Sequence, residues 1–150
     1  MMRNRCTILT ILSTLAVACG TPFDPAEGNS PGLIVEGAVE VTGASWLADE
    51  YTYVTDCLGT RLDMNHFQLG RYYLAESIVL NGSDLGGVTS GEYMYARRVH
   101  GGDEVTRGYM RHEMLHYLRP DLSHEDGSFE TIVHCELRVV ATAEDSALTP

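Results

Sequence analysis

Residues 112–116 read His-Glu-Met-Leu-His, which places two histidines four residues apart with a glutamate directly after the first. On an α-helix, residues four apart lie one turn above each other on the same face. His112 and His116 can therefore point at one cation, as two of the three protein ligands of a catalytic zinc. Glu113 lies where a carboxylate can accept a proton from a water that the metal activates. The alternative is an amphipathic helix that carries these residues by coincidence.

A third ligand must come from beyond Pro120, because proline cannot continue the helix. We expect His124 to be this ligand, since its imidazole follows a turn and is close enough in sequence to fold back. Glu130 is the main rival, because carboxylates are common third ligands of zinc. Weaker candidates are Asp121, Glu125 and Asp126. The isolated histidines His66 and His100 are not expected to touch the metal, and His134 beside a cysteine is expected to be structural.

The helix that must carry the motif is predicted from Asp103 to about Leu118. Asp103 is a suitable N-cap, and Glu104 falls in the first turn, where the helix dipole favours an anion. Gly108 costs about 1 kcal/mol relative to alanine in a helix interior, which suggests that another element packs closely against it.

The chain before this helix predicts several strands and one further helix. Apolar residues at helical spacing between Trp46 and Leu58 predict a core helix, with Ser45 as its cap and Gly59 as its stop. Asn81-Gly82 is a strong turn signal, and the four glycines of residues 82–91 predict a loop. Strands are predicted at 33–41, 66–69, 71–74, 77–80 and 92–100.

The length of 150 residues predicts a single folded domain, and the formal net charge of -11 makes it acidic. Lysine is absent, and all ten basic residues are arginines. A nucleic-acid partner is not expected, because the acidic balance of the chain would repel phosphates rather than neutralise them.

The first residues have the layout of a secretory signal, in which Arg3 and Arg5 precede a short apolar run and small residues before Cys19. The run is too short to span a bilayer permanently. Its ending resembles a bacterial lipobox, although Ala16 stands where the family usually has leucine. The resemblance implies cleavage before Cys19 and lipidation of its thiol. The alternative is an ordinary signal peptide that is cut nearby.

On this interpretation, residues 1–18 are a signal peptide and residues 19–32 are a lipidated cysteine followed by a flexible tether. The protein would be an exported lipoprotein of the bacterial cell envelope, held at a membrane by its N-terminal lipid.

Cys57 and Cys135 remain as a pair, because cleavage removes Cys6 and lipidation uses Cys19. In an exported chain an isolated pair predicts one disulfide. It would close a loop of about 80 residues, which corresponds to a stabilisation of about 4 kcal/mol. The alternative is that one of these cysteines is a thiolate ligand of zinc.

Residues 112–116 resemble the active-site helix of zincin metallopeptidases. The chain departs from the metzincins, which have a third histidine six residues after the second, because Leu122 stands at that position. It is more similar to small bacterial HExxH proteins that carry a histidine soon after the helix and a cysteine further on, as His124 and Cys135 do here. The resemblance covers residues 92–135, with Cys57 as an outlying match.

The resemblance implies a minimal zincin-like α+β domain at residues 33–150, with a small, mostly antiparallel sheet, a core helix and the HExxH helix. The strand at residues 92–99 would border the cleft, and an extended peptide could pair with its edge. The implied activity is zinc-dependent hydrolysis of a peptide or protein, with Glu113 as general base. Candidates for stabilising the oxyanion are Tyr93, Tyr95, Tyr117 and His100.

A hypothesis of a different class is a non-catalytic surface lipoprotein that binds a metal or a partner through the same scaffold. The small size favours it, since little room is left for a substrate subdomain. Glu113 argues against it, because a structural metal site has no need of a base. Structural zinc sites are closed by four protein ligands, whereas catalytic sites keep a water, so the number of protein ligands separates the two hypotheses.

Overall fold

The computed structural model describes residues 32–138. The predicted signal peptide, the lipidation of Cys19 and the tether up to residue 31 lie outside the described residues, as does the end of the predicted domain from residue 139. The described part is a mixed arrangement of three α-helices and two sheets, which is compatible with the predicted α+β class. No helix in this part is long and apolar enough to cross a bilayer.

Seven strands and three α-helices follow one another in the described part of the chain. The strands are β1 (Leu33–Glu36), β2 (Val39–Glu40), β3 (Arg71–Ala75), β4 (Ser77–Leu80), β5 (Ser83–Asp84), β6 (Gly87–Ser90) and β7 (Tyr93–Arg97). The helices are α1 (Ser45–Cys57), α2 (Met64–Leu69) and α3 (Asp103–Leu118), followed by 3-10 helices at Ser128–Thr131 and Val133–Glu136.

The larger sheet has the strand order β2-β3-β7-β6, with β3 and β7 parallel and the other neighbours antiparallel. The smaller sheet, β1-β4-β5, is antiparallel throughout. Asn81 and Gly82, with φ angles of 51° and 82°, make the tight turn that folds β5 back on β4. The prediction of mostly antiparallel pairing is confirmed, but the strands form two sheets rather than one.

Other elements cover both faces of the larger sheet. Neighbouring residues of a strand point to opposite faces, so each strand supplies side chains to two cores. Tyr72 and Met94 face the core that the sheet forms with α1 and α3. Tyr73 and Tyr95 face a second core, formed with the smaller sheet. Helix α3 therefore packs on one face of the larger sheet, and the smaller sheet packs on the opposite face.

The predicted core helix is present as α1, with Leu47, Tyr51 and Val54 buried. Its N-cap is Ala44 rather than the predicted Ser45, and the cap makes no side-chain hydrogen bond. Gly59, with φ of 64°, follows directly after the end of the helix, as predicted.

Two predicted segments have a different structure. The strand predicted at 66–69 is wrong, because the Asp63 side chain accepts hydrogen bonds from the backbone of Asn65 and His66 and so caps helix α2. The strand predicted at 33–41 is interrupted at Gly37, whose φ of 62° separates β1 from β2.

The loop predicted at 82–91 is also wrong, because this segment contains β5 and β6. The presence of β6 in this segment also changes which strand borders the cleft. Residues 92–99 contain β7, which lies between β3 and β6, whereas β6 and β2 are the two edge strands of the larger sheet in the described residues. The edge strand beside the motif helix is therefore β6.

Candidate metal centre

Helix α3 contains the whole motif, as predicted. Gly102 occupies the N-cap, so Asp103 is the first helical residue rather than the cap, and it lies with Glu104 in the first turn. The expectation of close packing at Gly108 is wrong. A Cβ at this position would meet only the end of the Arg111 side chain, at 3.7 Å.

Three imidazole nitrogens converge at one point. His112 Nε2 and His116 Nε2 lie 3.1 Å apart, and His124 Nε2 lies 3.2 Å from each of them. In a tetrahedral zinc site with metal–nitrogen bonds of about 2.0–2.1 Å, two ligand nitrogens lie about 3.3–3.4 Å apart. The sides of the triangle are about 0.1–0.3 Å shorter than these separations, so one small cation could contact all three nitrogens after a small adjustment.

The structure brings His124, rather than its rivals, to the two helical histidines. The carboxylate of Glu130 lies 3.5 Å from His124 Nδ1, on the other side of that ring. Asp121 is paired with Arg119 at 2.7 Å, and Asp126 accepts a hydrogen bond from the backbone of the 3-10 helix that follows it. Among the described residues, none of these carboxylates joins the group of converging nitrogens.

A closed loop positions His124. The Ser128 hydroxyl oxygen accepts a hydrogen bond from the backbone N–H of Ser123 at 2.9 Å, and the N–H of Phe129 donates to the Ser123 carbonyl at 3.1 Å. Gly127 reverses the chain with a φ of 74°, a conformation that glycine adopts without strain. These contacts turn the chain back towards α3 within a few residues of the end of the helix, and so place His124 beside it.

Phe129 forms a floor beneath the three imidazoles. Its ring is fully buried and stacks on His116 with centroids 4.0 Å apart. The ring centroids of His124 and His112 lie 4.3 Å and 4.9 Å from it. The packing leaves each imidazole little freedom to rotate away from the others. Phe129 was not among the residues predicted for the site.

Glu113 lies against the edge strand β6. Thr89 Oγ1 lies 2.8 Å from Glu113 Oε2 and 3.0 Å from the Glu113 carbonyl oxygen, so its hydroxyl can donate to either. A Cβ at Gly87 would lie 2.4 Å from Glu113 Oε1, so only glycine allows this approach. The side chain is 3% exposed. Burial raises the pKa of Glu113 to about 8, against the lowering effect of the Thr89 hydrogen bond.

The electrostatic environment keeps His116 neutral. Burial, together with repulsion from His112 and His124, lowers the pKa of His116 to about 4. A histidine must be unprotonated at the nitrogen that binds a metal, so this effect favours ligation at neutral pH.

The carboxylate of Glu136, which the sequence analysis did not identify, contacts Nδ1 of His112. An ionised carboxylate can only accept, so Nδ1 carries the hydrogen and Nε2 presents its lone pair to the other two histidines. Glu136 lies in the last 3-10 helix, 24 residues beyond His112. Its place directly after Cys135 is no signal for this contact, because the predicted bridge links Cys135 to Cys57 and not to α3.

Cys57 and Cys135 lie at disulfide-bond distance, with their sulfur atoms 2.01 Å apart, as the pairing prediction requires. His134 is exposed, and its Nε2 lies 3.5 Å from Cys135 Sγ. The cysteine pair joins the end of α1 to the last 3-10 helix.

A cleft of about 830 Å³ opens over the three imidazoles, between β6 and α3. Its apolar lining consists of Leu85, Val88, Tyr109, Tyr117, Pro120 and Leu122. Thr89, Glu113 and Glu136 also face it.

Of the predicted oxyanion candidates, only Tyr117 lines the cleft. Tyr93 and Tyr95 lie in the second core, and His100 is exposed and pairs with Glu76 at 3.1 Å. Tyr109, which the sequence analysis did not propose for this role, lines the cleft as well.

His66 lies outside the candidate centre, like His100. Its Nδ1 is 3.3 Å from the Tyr51 hydroxyl, and its ring stacks on Tyr117 at 4.3 Å. These contacts give His66 a structural role.

No protein-family model matches the chain, and no curated protein or solved structure matches it either. The function is therefore inferred from the geometry of the site.

Proposed function

We propose that this protein is a zinc-dependent peptidase that acts in the cleft between β6 and α3. His112, His116 and His124 would hold the metal. The observation that carries the proposal is the triangle of three Nε2 atoms, with sides of 3.1–3.2 Å, and Glu113 beside it in the same cleft. A bound zinc supplies a Lewis acid that polarises a carbonyl and makes water acidic enough to attack near neutral pH.

Glu113 is the general base in this proposal. Its carboxylate accepts a proton from the attacking water and then delivers it to the leaving amine. The hydroxyl of Thr89, 2.8 Å from Oε2, fixes the orientation of the carboxylate. The pKa of about 8 that burial gives Glu113 applies to the metal-free protein, and a cation bound beside it would favour the carboxylate form that accepts the proton.

Tyr109 is the proposed oxyanion donor. Its hydroxyl oxygen accepts from Arg97 Nη2 at 3.5 Å, which leaves the hydroxyl hydrogen available to the cleft. The Tyr117 hydroxyl, in contrast, already donates to the carbonyl of His66 at 2.9 Å. A donor aimed at developing negative charge lowers the barrier to acyl transfer.

The edge strand β6 is the proposed docking site for an extended substrate. Strand β6 pairs with β7 on one side and is the last strand of the described sheet. A peptide that adds to this edge would run along the cleft past Glu113. A motif helix packed on a mixed sheet, with an edge strand bordering the cleft, supports our proposal of a minimal zincin-like domain.

The number of converging ligands favours catalysis over a purely structural site. Three nitrogens make up the group around His112 in the described residues, whereas a structural zinc site has four protein ligands. The cleft opens onto this group. A fourth position would therefore be accessible to water and substrate.

The test uses purified protein, elemental analysis of zinc and digestion of a broad peptide library. We expect one zinc per chain in the wild type and in Glu113→Gln, with hydrolysis lowered about 10²–10⁴-fold in the variant. Replacement of His112, His116 or His124 by alanine should reduce bound zinc, whereas Glu130→Gln should retain it. The mechanism would be refuted if zinc-loaded Glu113→Gln hydrolysed peptides as fast as the wild type. The metal centre would be refuted if the purified wild type contained no zinc.

A further inference from the structure

Residues 135–137, hereafter the anchored segment, are tied at each position to the helical layer. Cys135 pairs with Cys57 at the end of α1. The carbonyl of residue 136 accepts a hydrogen bond from Arg111 Nε at 2.7 Å, and the carbonyl of residue 137 accepts one from the Tyr53 hydroxyl at 2.9 Å. A short stretch near the end of the described chain is thus held by both long helices.

The anchor on α3 is itself fixed. Arg111 is 3% exposed, and its guanidinium pairs with Glu50 at 2.9 Å and with Glu104 at 2.6 Å. Glu50 is fully buried on α1. The guanidinium therefore has one orientation available, and its Nε–H points at the backbone of the anchored segment.

The anchored segment presents one side chain to the metal centre. The carboxylate of Glu136 contacts Nδ1 of His112, the ring nitrogen that faces away from the other two histidines. Such a contact selects the tautomer of a ligand, holds its ring and makes its other nitrogen more basic. A shift of the anchored segment would remove all three effects together.

We propose that the anchoring of residues 135–137, with the Cys57–Cys135 bridge as its main element, sets the metal affinity of the three-histidine site by holding Glu136 against His112. This inference rests on the metal centre of the proposed function. Glu136 is a positioning residue, and the bridge acts on the metal only through it.

The inference makes metal retention dependent on the redox state of the cysteines. A dithiol reductant breaks the sulfur–sulfur bond, donates its two protons and two electrons to Cys57 and Cys135, and becomes a disulfide itself. The anchored segment then keeps only its hydrogen bonds. Zinc would bind more weakly after this exchange, although none of its ligands has changed.

The test measures zinc affinity by competition with a chromophoric chelator. The proteins are the wild type, Glu136→Gln, Cys57→Ser/Cys135→Ser, and the combination of all three changes; serine avoids new thiol ligands. We expect Glu136→Gln to weaken zinc binding about 10–100-fold. The cysteine changes should weaken it in the wild type and have little further effect in the Glu136→Gln background.

Glu130→Gln is the matched control, because Glu130 approaches His124 Nδ1 at 3.5 Å with a side chain that is 64% exposed. Its zinc affinity should stay within about threefold of the wild type, since an exposed pair contributes little. Tyr53→Phe removes a second anchor and is used if the cysteine variant does not fold. It should also weaken zinc binding, and only when Glu136 is present.

A second readout uses metal-free protein with nitrogen-15-labelled histidine. The Nδ1–H proton of His112 should give a hydrogen-bonded signal in the wild type that is lost in Glu136→Ala and weakened in the cysteine variant. Unchanged zinc affinity in Glu136→Gln, or equal losses from the cysteine changes with and without Glu136, would overturn the inference. If the wild type binds no zinc in the competition experiment but still shows the His112 signal, the result counts against the metal centre alone.

Discussion

Helix α3 and the loop that follows it position metal-facing nitrogens by different means. His112 and His116 are placed by the repeat of the helix, which is maintained by many backbone hydrogen bonds. His124 is placed by a loop that Ser128 closes and by the ring of Phe129. Each loop contact is made once, without a neighbouring turn that could replace it.

The difference indicates where the candidate centre is sensitive to substitution. A change on the exposed face of α3 leaves the helical repeat in place, so the two helical imidazoles stay aligned. A change in residues 123–129 removes a contact on which the position of His124 depends. The following substitutions test this contrast, from the largest expected effect to the smallest.

Phe129→Ala should have the largest effect, because it removes the floor shared by the three imidazoles. Truncation of a fully buried phenylalanine costs about 3–5 kcal/mol, and the space beneath the rings would let them rotate. Chemical unfolding of metal-free protein and chelator competition would measure the two losses. Phe67→Ala is the control, since Phe67 packs at the margin of the same core against Tyr51 and Tyr72. Equal effects of both variants on zinc affinity would contradict the role given to Phe129.

The pH dependence of metal-free protein should identify the buried carboxyl on α3. The pKa of Glu113 is raised from 4.5 to about 8, so between these values the unfolded chain releases a proton that the folded protein retains. Stability is therefore lost as the pH rises, by a few kcal/mol in total. His116 acts in the opposite direction and lower down, since its pKa falls from 6.5 to about 4 and stability is lost as the pH falls through that range.

Urea unfolding between pH 6.5 and 8.5 isolates the effect of Glu113. Wild-type stability should decline across this window, whereas Glu113→Gln should show a flatter profile, because its amide does not titrate. Parallel profiles for the two proteins would show that Glu113 ionises in the folded state as it does in the unfolded chain.

Ser128→Ala should open the loop that holds His124. The hydroxyl accepts from the backbone of Ser123 at 2.9 Å, and its loss should cost about 1 kcal/mol and weaken zinc binding several-fold. Ser83→Ala, at an exposed position of β5, should change both quantities little. The contrast between loop and helix fails if Ser128→Ala binds zinc like the wild type.

Two glycine substitutions should have small effects of opposite sign. Gly108→Ala should stabilise the protein by about 0.5–1 kcal/mol, because the added methyl lies in a helix interior and meets only the Arg111 side chain at 3.7 Å. Gly127→Ala should destabilise it by about 1 kcal/mol, since its φ of 74° strains any residue with a Cβ. Melting temperatures of the two variants should therefore fall on opposite sides of the wild type. A stabilising Gly127→Ala would mean that the loop turns in another way.

Local signals were sufficient for the elements whose form depends on neighbours in sequence. Helices α1 and α3, and the turn at Asn81-Gly82, follow from apolar spacing and turn chemistry. Strand β6 could not be predicted, because the glycines in and around it read as a loop. They serve a tertiary purpose instead: a Cβ at Gly86 would lie 2.4 Å from the ring of Tyr109, and one at Gly87 would meet Glu113.

The same distinction applies to the candidate centre. The pair His112 and His116 is predicted by helical spacing, and the prediction of His124 depends on its nearness in sequence. Thr89 and Glu136 act across the fold, at separations of 24 residues from their partners, and nothing in their immediate sequence reports those partners. Such contacts depend on how the sheet and the 3-10 helices pack, which periodicity does not encode.

The cysteine pair also has a consequence for damage to the chain. Cys57 and Cys135 enclose 78 positions of sequence separation, so α2, strands β3 to β7 and α3 all lie inside one covalent ring. A protease that nicked the exposed hairpin at Asn81-Gly82 would leave both fragments joined, and they would part on a gel only after reduction. A single break in the backbone between Cys57 and Cys135 would not release either piece from the molecule.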